Sequence, residues 1–477
     1  MIDLSAQKQY TIFLLFMVVA VGLRFFSFFP SVLDHDESTY MIIGRDILNG
    51  KSLYTDVTDT KPVGIFLFYA GLEFLFGNSI LWKRFVFAIV VGLTAFLVFR
   101  VAKKFFENRK VAFASGIIYI FYTSVWNYHG RSPNTELLFN LFTIIGLLLF
   151  LRKNFRNYFL GGLSLGIGFM IKYLVLFDLF AFLLFFFIVE IKDRTQPGFW
   201  KIFARYALAG LAFLIPFGVT NLFFWLGDNF QDFYFVTYEL PGNYGSNPSL
   251  IRYFTMLADF ITKFLPISFI VFYLLFKKSK PMENRLKGFF LLWIAAVLVA
   301  IYLPGKEFSH YTIQLMLPLS ILGGLFFHPG FKKDRITSVL YSKKVGTVLL
   351  ALIVLVIQFL GFKDEYLKPD YPREVATYIS EEGDPGDRVF VSNYQQVIYY
   401  LLEQDTPTKF VHSNLLFTNT IKAFGVDADY ELQRIMDNNP EFVVIQRENE
   451  KVEKLMGVEY KLIQTFNNEK ISVFRRI

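Results

Sequence analysis

The chain has 477 residues, of which 54% are hydrophobic and 19% aromatic, with no cysteine and a formal charge of +8. Only 18% of residues are charged, against about 25% in soluble chains, and the mean hydropathy is +0.43. This composition excludes a soluble globular domain, a disulfide scaffold and thiolate metal centres; the basic excess reads as loop Lys and Arg of a membrane protein rather than as a nucleic-acid footprint.

The first apolar stretch, 10–29, has no strongly basic leader and no small-residue cleavage site, so it is expected to stay as a first span. SVLDHDESTY (31–40) follows at once, with Asp34, His35, Asp36 and Glu37 crowded beside the hydrocarbon. The next apolar segment, PVGIFLFYAGLEFLFG (62–77), starts at Pro62, carries Glu73 and is short. Further spans are expected near 81–101, 110–127, 135–151, 157–172, 173–191, 203–225, 259–276, 286–303, 311–328 and 345–361, each about long enough to cross a ~30 Å core.

Whether 62–78 crosses decides the side of everything after it. If it lies along the interface, the clusters KKFFENRK (103–110), RKNFRN (152–157), KDRTQPGFWK (192–201), KKSKPMENRLK (277–287) and KKDRITSVLYSKK (332–344) share one face, as the positive-inside rule requires. The expectation is therefore about eleven spans in a domain 1–361, with the N-terminus cytoplasmic. Loops 30–80, 128–134, 226–258 and 304–310 then face outward, as does a tail 362–477.

The tail reads differently. DRVFVS (387–392), TKFVHS (408–413), EFVVIQ (441–446), YKLIQTF (460–466) and ISVFRRI (471–477) read as strands, while 395–404 and 429–439 have helical spacing. The alternation predicts a small extracytoplasmic α/β domain. The fold class expected for the whole is a polytopic α-helical membrane protein with this domain appended.

Polar residues of the outward connections form a joint pattern. Carboxylates cluster in the first loop, and Lys61, Arg131, Lys306 and His310 bring cations from that loop and later ones. Taken singly, each reads as a solvated loop residue or a snorkelling side chain. Together, carboxylates facing cations at a membrane surface suit the handling of a lipid phosphate: Lys61, Arg131, Lys306 and His310 to neutralise it, and Asp36 to take the proton of an attacking hydroxyl. Asp36 with Glu37 or a histidine would equally hold a divalent metal ion, and the sequence leaves base and ligand both open. A transporter is the rival class, for which Lys172, Asp178 and Arg205 would have to face a central path.

The stretch DHDESTYMIIGRDILNGKSLYTDVTDTKPVGIFLFYAGLEFLFGNSILWKRF resembles the first outer loop of C-type (GT-C) glycosyltransferases, above all the branch of protein O-mannosyltransferases and the aminoarabinose transferases that modify lipid A. The shared features are Asp36-Glu37 after the first span, Gly50 before Leu53-Tyr54, Lys61-Pro62, and Arg84 at the next span. NYHGRSPNTELLF and SHYTIQLMLPLSIL are similar to the family's second outer loop and late His-Tyr…Pro segment. Thr60 stands where some members have an acidic residue, and Val63 where a second proline is usual.

The resemblance covers roughly residues 1–330. It implies a catalytic or metal-associated Asp36 with Glu37 beside it, Lys61 and Arg131 at the donor phosphate, and His310 and Tyr311 lining the donor cavity. It also implies a polyprenyl-phosphate-linked sugar as donor and a lipid, glycan or protein as acceptor, with inverting transfer at the extracytoplasmic face of the plasma membrane. A ligase or polymerase of lipid-linked glycans shares the architecture.

Overall fold

The computed structural model describes residues 9–124, 130–193, 198–244, 250–276, 282–303, 305, 308–330, 343–412, 414–418, 420–446 and 449–477. The chain forms two compact units, each discontinuous. One comprises Met1–Phe28, Arg84–Thr220 and Ser246–Glu365; the other comprises Phe29–Lys83, Asn221–Gly245 and Tyr366–Ile477. This division differs from a single boundary at 361/362, because the tail folds together with the first loop.

The first unit is a bundle of apolar helices at the expected span positions. Among the described residues, four helices are long and apolar enough to cross a membrane: Gln9–Phe28, Ile80–Phe106, Phe199–Leu226 and Asn284–Tyr302. They become five if Leu250–Thr262 and Ile267–Leu275, bent by 103°, count as one broken span. The expected eleven is not reached by this measure, for physical reasons. Arg109–Tyr122, Thr135–Phe150 and Phe155–Ile171 have 14, 16 and 17 residues, short of the ~20 that a perpendicular crossing needs. Val175–Lys192 carries Asp178, Glu190 and Lys192, and the 311–328 segment opens as a 3₁₀ turn before Met316–Leu325.

Small residues let these helices approach closely, as packing in lipid favours. A Cβ on Gly162 would sit 2.1 Å from the Ala209 carbonyl oxygen, and one on Gly166 2.3 Å from that of Phe213. Helices Phe155–Ile171 and Phe199–Leu226 are therefore in backbone contact. The charged residues inside this unit are locally matched. Arg205 pairs with Glu190 and stacks 4.9 Å over the Tyr158 ring. Asp178 accepts hydrogen bonds from Trp293 Nε1 and Gln314 Nε2, both at 2.6 Å. Lys172 pairs with Glu136.

The second unit is built on two helices and a small sheet. His35–Leu48 is N-capped by Asp34, whose carboxylate accepts the Asp36 N–H at 3.2 Å. It packs on Val63–Phe76 so closely that a Cβ on Gly44 would lie 2.8 Å from the Ala70 nitrogen. Val63–Phe76 has 14 residues, about 21 Å at 1.5 Å per residue. The sheet holds strands β1 (Val389–Val391), β2 (Phe442–Gln446), β3 (Tyr460–Phe466) and β4 (Ile471–Arg476), in the order β1-β2-β4-β3.

Pairing is parallel for β1 with β2 (Phe390 opposite Val443) and antiparallel elsewhere (Val444 opposite Val473). Helices Tyr371–Glu382 and Ala428–Asp437 accompany the sheet, and Phe390, Leu432, Ile435, Val443 and Val452 form its core. Over its described residues, 408–412, the expected strand 408–413 is not one. It makes a single parallel bridge, Thr58 with Phe410, with Thr58 N–H donating to the Lys409 carbonyl at 2.7 Å.

Candidate functional site

In the second unit the acidic loop becomes an ordered cluster. Asp36 lies in the first turn of His35–Leu48, where the unpaired amides and helix dipole favour a negative charge. Its Oδ1 is 2.8 Å from Lys61 Nζ, which also contacts Asp59 Oδ2 at 3.2 Å. The Tyr40 hydroxyl donates to Asp36 Oδ2 at 3.4 Å, and Lys61 Nζ stands 5.6 Å from the Tyr40 ring centre.

Backbone geometry sets Lys61 in place. Tyr54 adopts φ +72°, a left-handed conformation costly for an aromatic residue. It is held there by its N–H to the Val57 carbonyl (2.7 Å), its hydroxyl to the Lys61 carbonyl (3.0 Å), and rings of Phe224 and Phe233 at 5.8 and 6.1 Å.

The tail adds a residue that the sequence reading passed over. His412 Nε2 faces Asp36 Oδ1 at 3.7 Å, and its ring stacks on His35 at 5.6 Å and 21°. His412 Nδ1 accepts the Asn414 N–H at 3.3 Å, which assigns the ring proton to Nε2, toward Asp36. Gln396 locks the pair: its Oε1 is 3.1 Å from His35 Nδ1, and its Nε2 donates to the His35 carbonyl and the Thr39 hydroxyl at 2.7 and 2.9 Å.

The electrostatics follow from this arrangement. Burial works against the Lys61 charge, but Asp36 and Asp59 outweigh it and hold the ammonium well above its usual pKa. Burial pushes His412 below its usual value, with Asp36 opposing, so His412 is neutral at pH 7. Asp36 is thus a carboxylate flanked by one permanent cation and one neutral imidazole. Glu37, in the same helix turn, is 1% exposed.

A divalent ion at Asp36 does not fit these residues. The ammonium of Lys61 already lies between Asp36 and Asp59, and a metal on the same oxygens would meet that charge at contact distance. Among the described residues no group of three His, Asp or Glu is placed to hold one.

The other expected residues lie in the first unit and form two groups. Arg131 Nη1 is 3.0 Å from Glu365 Oε2, both buried, while the Arg131 carbonyl accepts from Arg24 Nη1 at 3.1 Å. Its charge is engaged in a structural knot. His310 and Tyr311 belong to the 3₁₀ turn Ser309–Leu315, pinned where Asn140 Nδ2 donates to the Ile313 carbonyl at 3.1 Å. Their rings meet edge-on at 5.0 Å, and Phe308 stacks on His310 at 5.6 Å.

The Lys172 ammonium sits 3.7 Å from the Tyr311 ring centre and pairs with Glu136. That makes Lys172 a cation beside His310 and Tyr311 that was expected only on the transporter reading. Lys306 lies outside the described residues.

Residues 60–219 match the family model of dolichyl-phosphate-mannose-protein mannosyltransferase. No curated protein matches the chain by sequence. Among solved structures, ArnT from Cupriavidus metallidurans bound to undecaprenyl phosphate is 15% identical with a TM-score of 0.66, covering 98% of this chain and 97% of that one. Its apo state gives 0.67 at the same identity. The archaeal oligosaccharyltransferase AglB from Archaeoglobus fulgidus, in complex with an inhibitory peptide and a dolichol-phosphate, is 11% identical with a TM-score of 0.51, covering 92% and 69%. The fold is that of the C-type glycosyltransferases, polytopic and mostly helical with a small sheet near the C-terminus, as the resemblance in the first loop implied.

Proposed function

We propose that this protein is a glycosyltransferase that moves a sugar from a polyprenyl-phosphate donor to an acceptor hydroxyl, with inversion, at the extracytoplasmic face of the plasma membrane. The observation that carries the reading is the capped, ion-paired Asp36 in a fold shared with ArnT, a structure solved with undecaprenyl phosphate bound. The match of residues 60–219 to the mannosyltransferase family model supports the same class. The basic clusters support an N-terminus on the cytoplasmic side and a tail outside.

In this mechanism the acceptor oxygen attacks the anomeric carbon as the bond from that carbon to the phosphate oxygen breaks. The polyprenyl phosphate leaves with the bonding electrons, and the acceptor proton passes to the Asp36 carboxylate. Lys61, ion-paired beside Asp36 in the second unit, is assigned to the charge on the departing phosphate. A phosphate monoester is already a good leaving group, so binding and positioning carry most of the work. Membrane lipids solvate the polyprenyl chain. The acceptor is a lipid, glycan or protein hydroxyl.

The test is transfer of radiolabelled sugar from a panel of polyprenyl-phosphate monosaccharides to an extracted membrane fraction, with wild type beside Asp36→Asn. Transfer abolished by Asp36→Asn supports the reading. Transfer unaffected by it overturns the site, and no release of polyprenyl phosphate from any donor overturns the class.

A further inference from the structure

The second unit contains a groove of about 640 Å³ that the transfer reaction above does not use. Its walls include Asp56, Lys409, Asp427, Tyr430, Glu431 and Arg434. Arg434 forks onto Glu431 at 2.9 and 2.7 Å, and the Thr408 hydroxyl donates to the same carboxylate. That wall is rigid and polar before anything binds. Tyr430, in the same helix, is 71% exposed, a large flat apolar face presented among charged neighbours. A groove of this size that combines a few fixed polar groups with one aromatic surface has the make-up of a small-ligand site.

The lining selects the class of ligand. Three carboxylates and two cations nearly balance, so a strongly anionic ligand meets Asp56, Asp427 and Glu431, and a cationic one meets Lys409 and Arg434. An acyl chain would leave these ionised groups desolvated and unpaired. A peptide adding to a sheet needs an open strand edge, and no residue of the four strands lines the groove. What remains is a neutral polyol with apolar ring faces: hydroxyls for the carboxylates and guanidinium, and a face for Tyr430.

The groove also leads to Asp36. Two segments run from it side by side, bridged at Thr58 and Phe410. One goes from Asp56 to Asp59 at the Lys61 ammonium, the other from Lys409 to His412 at the Asp36 carboxylate. Three residues of chain reach at most about 10 Å, and the turn that the Val411 N–H closes on the Lys409 carbonyl shortens this, within the length of a short saccharide.

We infer that the groove seats the glycan portion of the acceptor, with the sugar that receives the transfer reaching Asp36 and the sugars behind it lying against Tyr430 and Arg434. This rests on the proposed transfer reaction and names the acceptor class for it.

The experiment uses the full chain in lipid nanodiscs. Saturation-transfer NMR reads binding of a panel of neutral trisaccharides and, separately, of a hydrophilic peptide pool, for wild type, Tyr430→Ala, Arg434→Gln and Asp36→Asn. Saccharide signal that is lost in Tyr430→Ala and Arg434→Gln, with Asp36→Asn read beside them for the contact of the receiving sugar, is the expected result. Saccharide signal unchanged by the groove variants, or signal only from peptides, or none from either, overturns the inference.

In transfer assays Tyr430→Ala should raise the acceptor KM about ten-fold or more with kcat within about two-fold, while hydrolysis of the donor by water in the absence of acceptor, giving free sugar and polyprenyl phosphate, stays at the wild-type rate. A fall in kcat with KM unchanged would overturn it. Failure of the transfer reading shows instead as no release from any donor in wild type, which the binding measurement does not depend on.

Discussion

Lys61 Nζ lies 2.8 Å from Asp36 Oδ1, and the same nitrogen reaches Asp59 Oδ2 at 3.2 Å. One ammonium thus ties the N-terminus of His35–Leu48 to the segment entering Val63–Phe76. Replacing Lys61 with Met leaves two carboxylates facing each other without their cation. The expected outcome is a loss of about two orders of magnitude in transfer rate, the size seen when one preorganised charge partner is removed. Lys61→Arg should recover part of it. Both are read in the radiolabel assay.

The His412 ring is neutral at pH 7 because burial pushes its pKa below the usual value. The sign follows from proton counting. Between the folded and unfolded pKa the unfolded chain binds a proton that the folded chain does not, so stability rises with pH there. His412 therefore adds stability above about pH 6.5 that is lost as pH falls through that value toward the folded pKa. Thermal unfolding of wild type and His412→Gln across pH 5 to 7 checks this; the variant should show a shallower decline on the acid side.

Arg131 and Lys172 are both cations of the first unit, and their substitutions should separate. Arg131→Ala strands the buried Glu365 carboxyl, whose pKa burial already raises against the pull of Arg131. It should lower stability by about 3 kcal/mol, as for other buried pairs broken on one side. Lys172→Met should instead raise the donor KM, since its ammonium lies over Tyr311 beside His310. Thermal unfolding and donor titration distinguish the two.

Helix contact at Gly162 has little tolerance. An added methyl would sit 2.1 Å from the Ala209 carbonyl oxygen, so Gly162→Ala forces the helices apart at a cost of about 1–3 kcal/mol. Gly210, with nothing within 4 Å of its built Cβ, is the control. Gly210→Ala should leave the unfolding temperature unchanged or slightly higher.

What could be read from the sequence follows the range of the forces involved. Helix positions were readable because apolar runs end at polar punctuation, and Asp36 with Lys61 stood in one loop with recognisable spacing. Among the described residues fewer than eleven helices pass as full crossings by length and composition, because hydropathy ignores helix length lost to caps and 3₁₀ turns, as at Ser309–Leu315. His412 was missed for a different reason. It lies 376 positions after Asp36 in TKFVHS, which reads as an ordinary strand, and the bridge between Thr58 and Phe410 and the Gln396 contacts with His35 bring it to the cluster. Lys172 had a local sign, a cation at a helix end, but its partners Glu136 and Tyr311 come from separate segments.

The sheet order carries a consequence for how the chain is made. β4, the last strand in sequence, is an interior strand, hydrogen-bonded to β2 on one side and β3 on the other. It follows β1, β2 and β3 in the chain, so the sheet closes only once β4 has been made, and long-range closures of this kind are slow. Until then the nascent first loop carries Asp36 and Asp59 without the tail's imidazole beside them. Without β4, β2 and β3 would be left as two unsatisfied edges, open to proteolysis and to pairing with another chain. β4 is thus the latch of the sheet, joining the parallel pair β1-β2 to the β3-β4 hairpin.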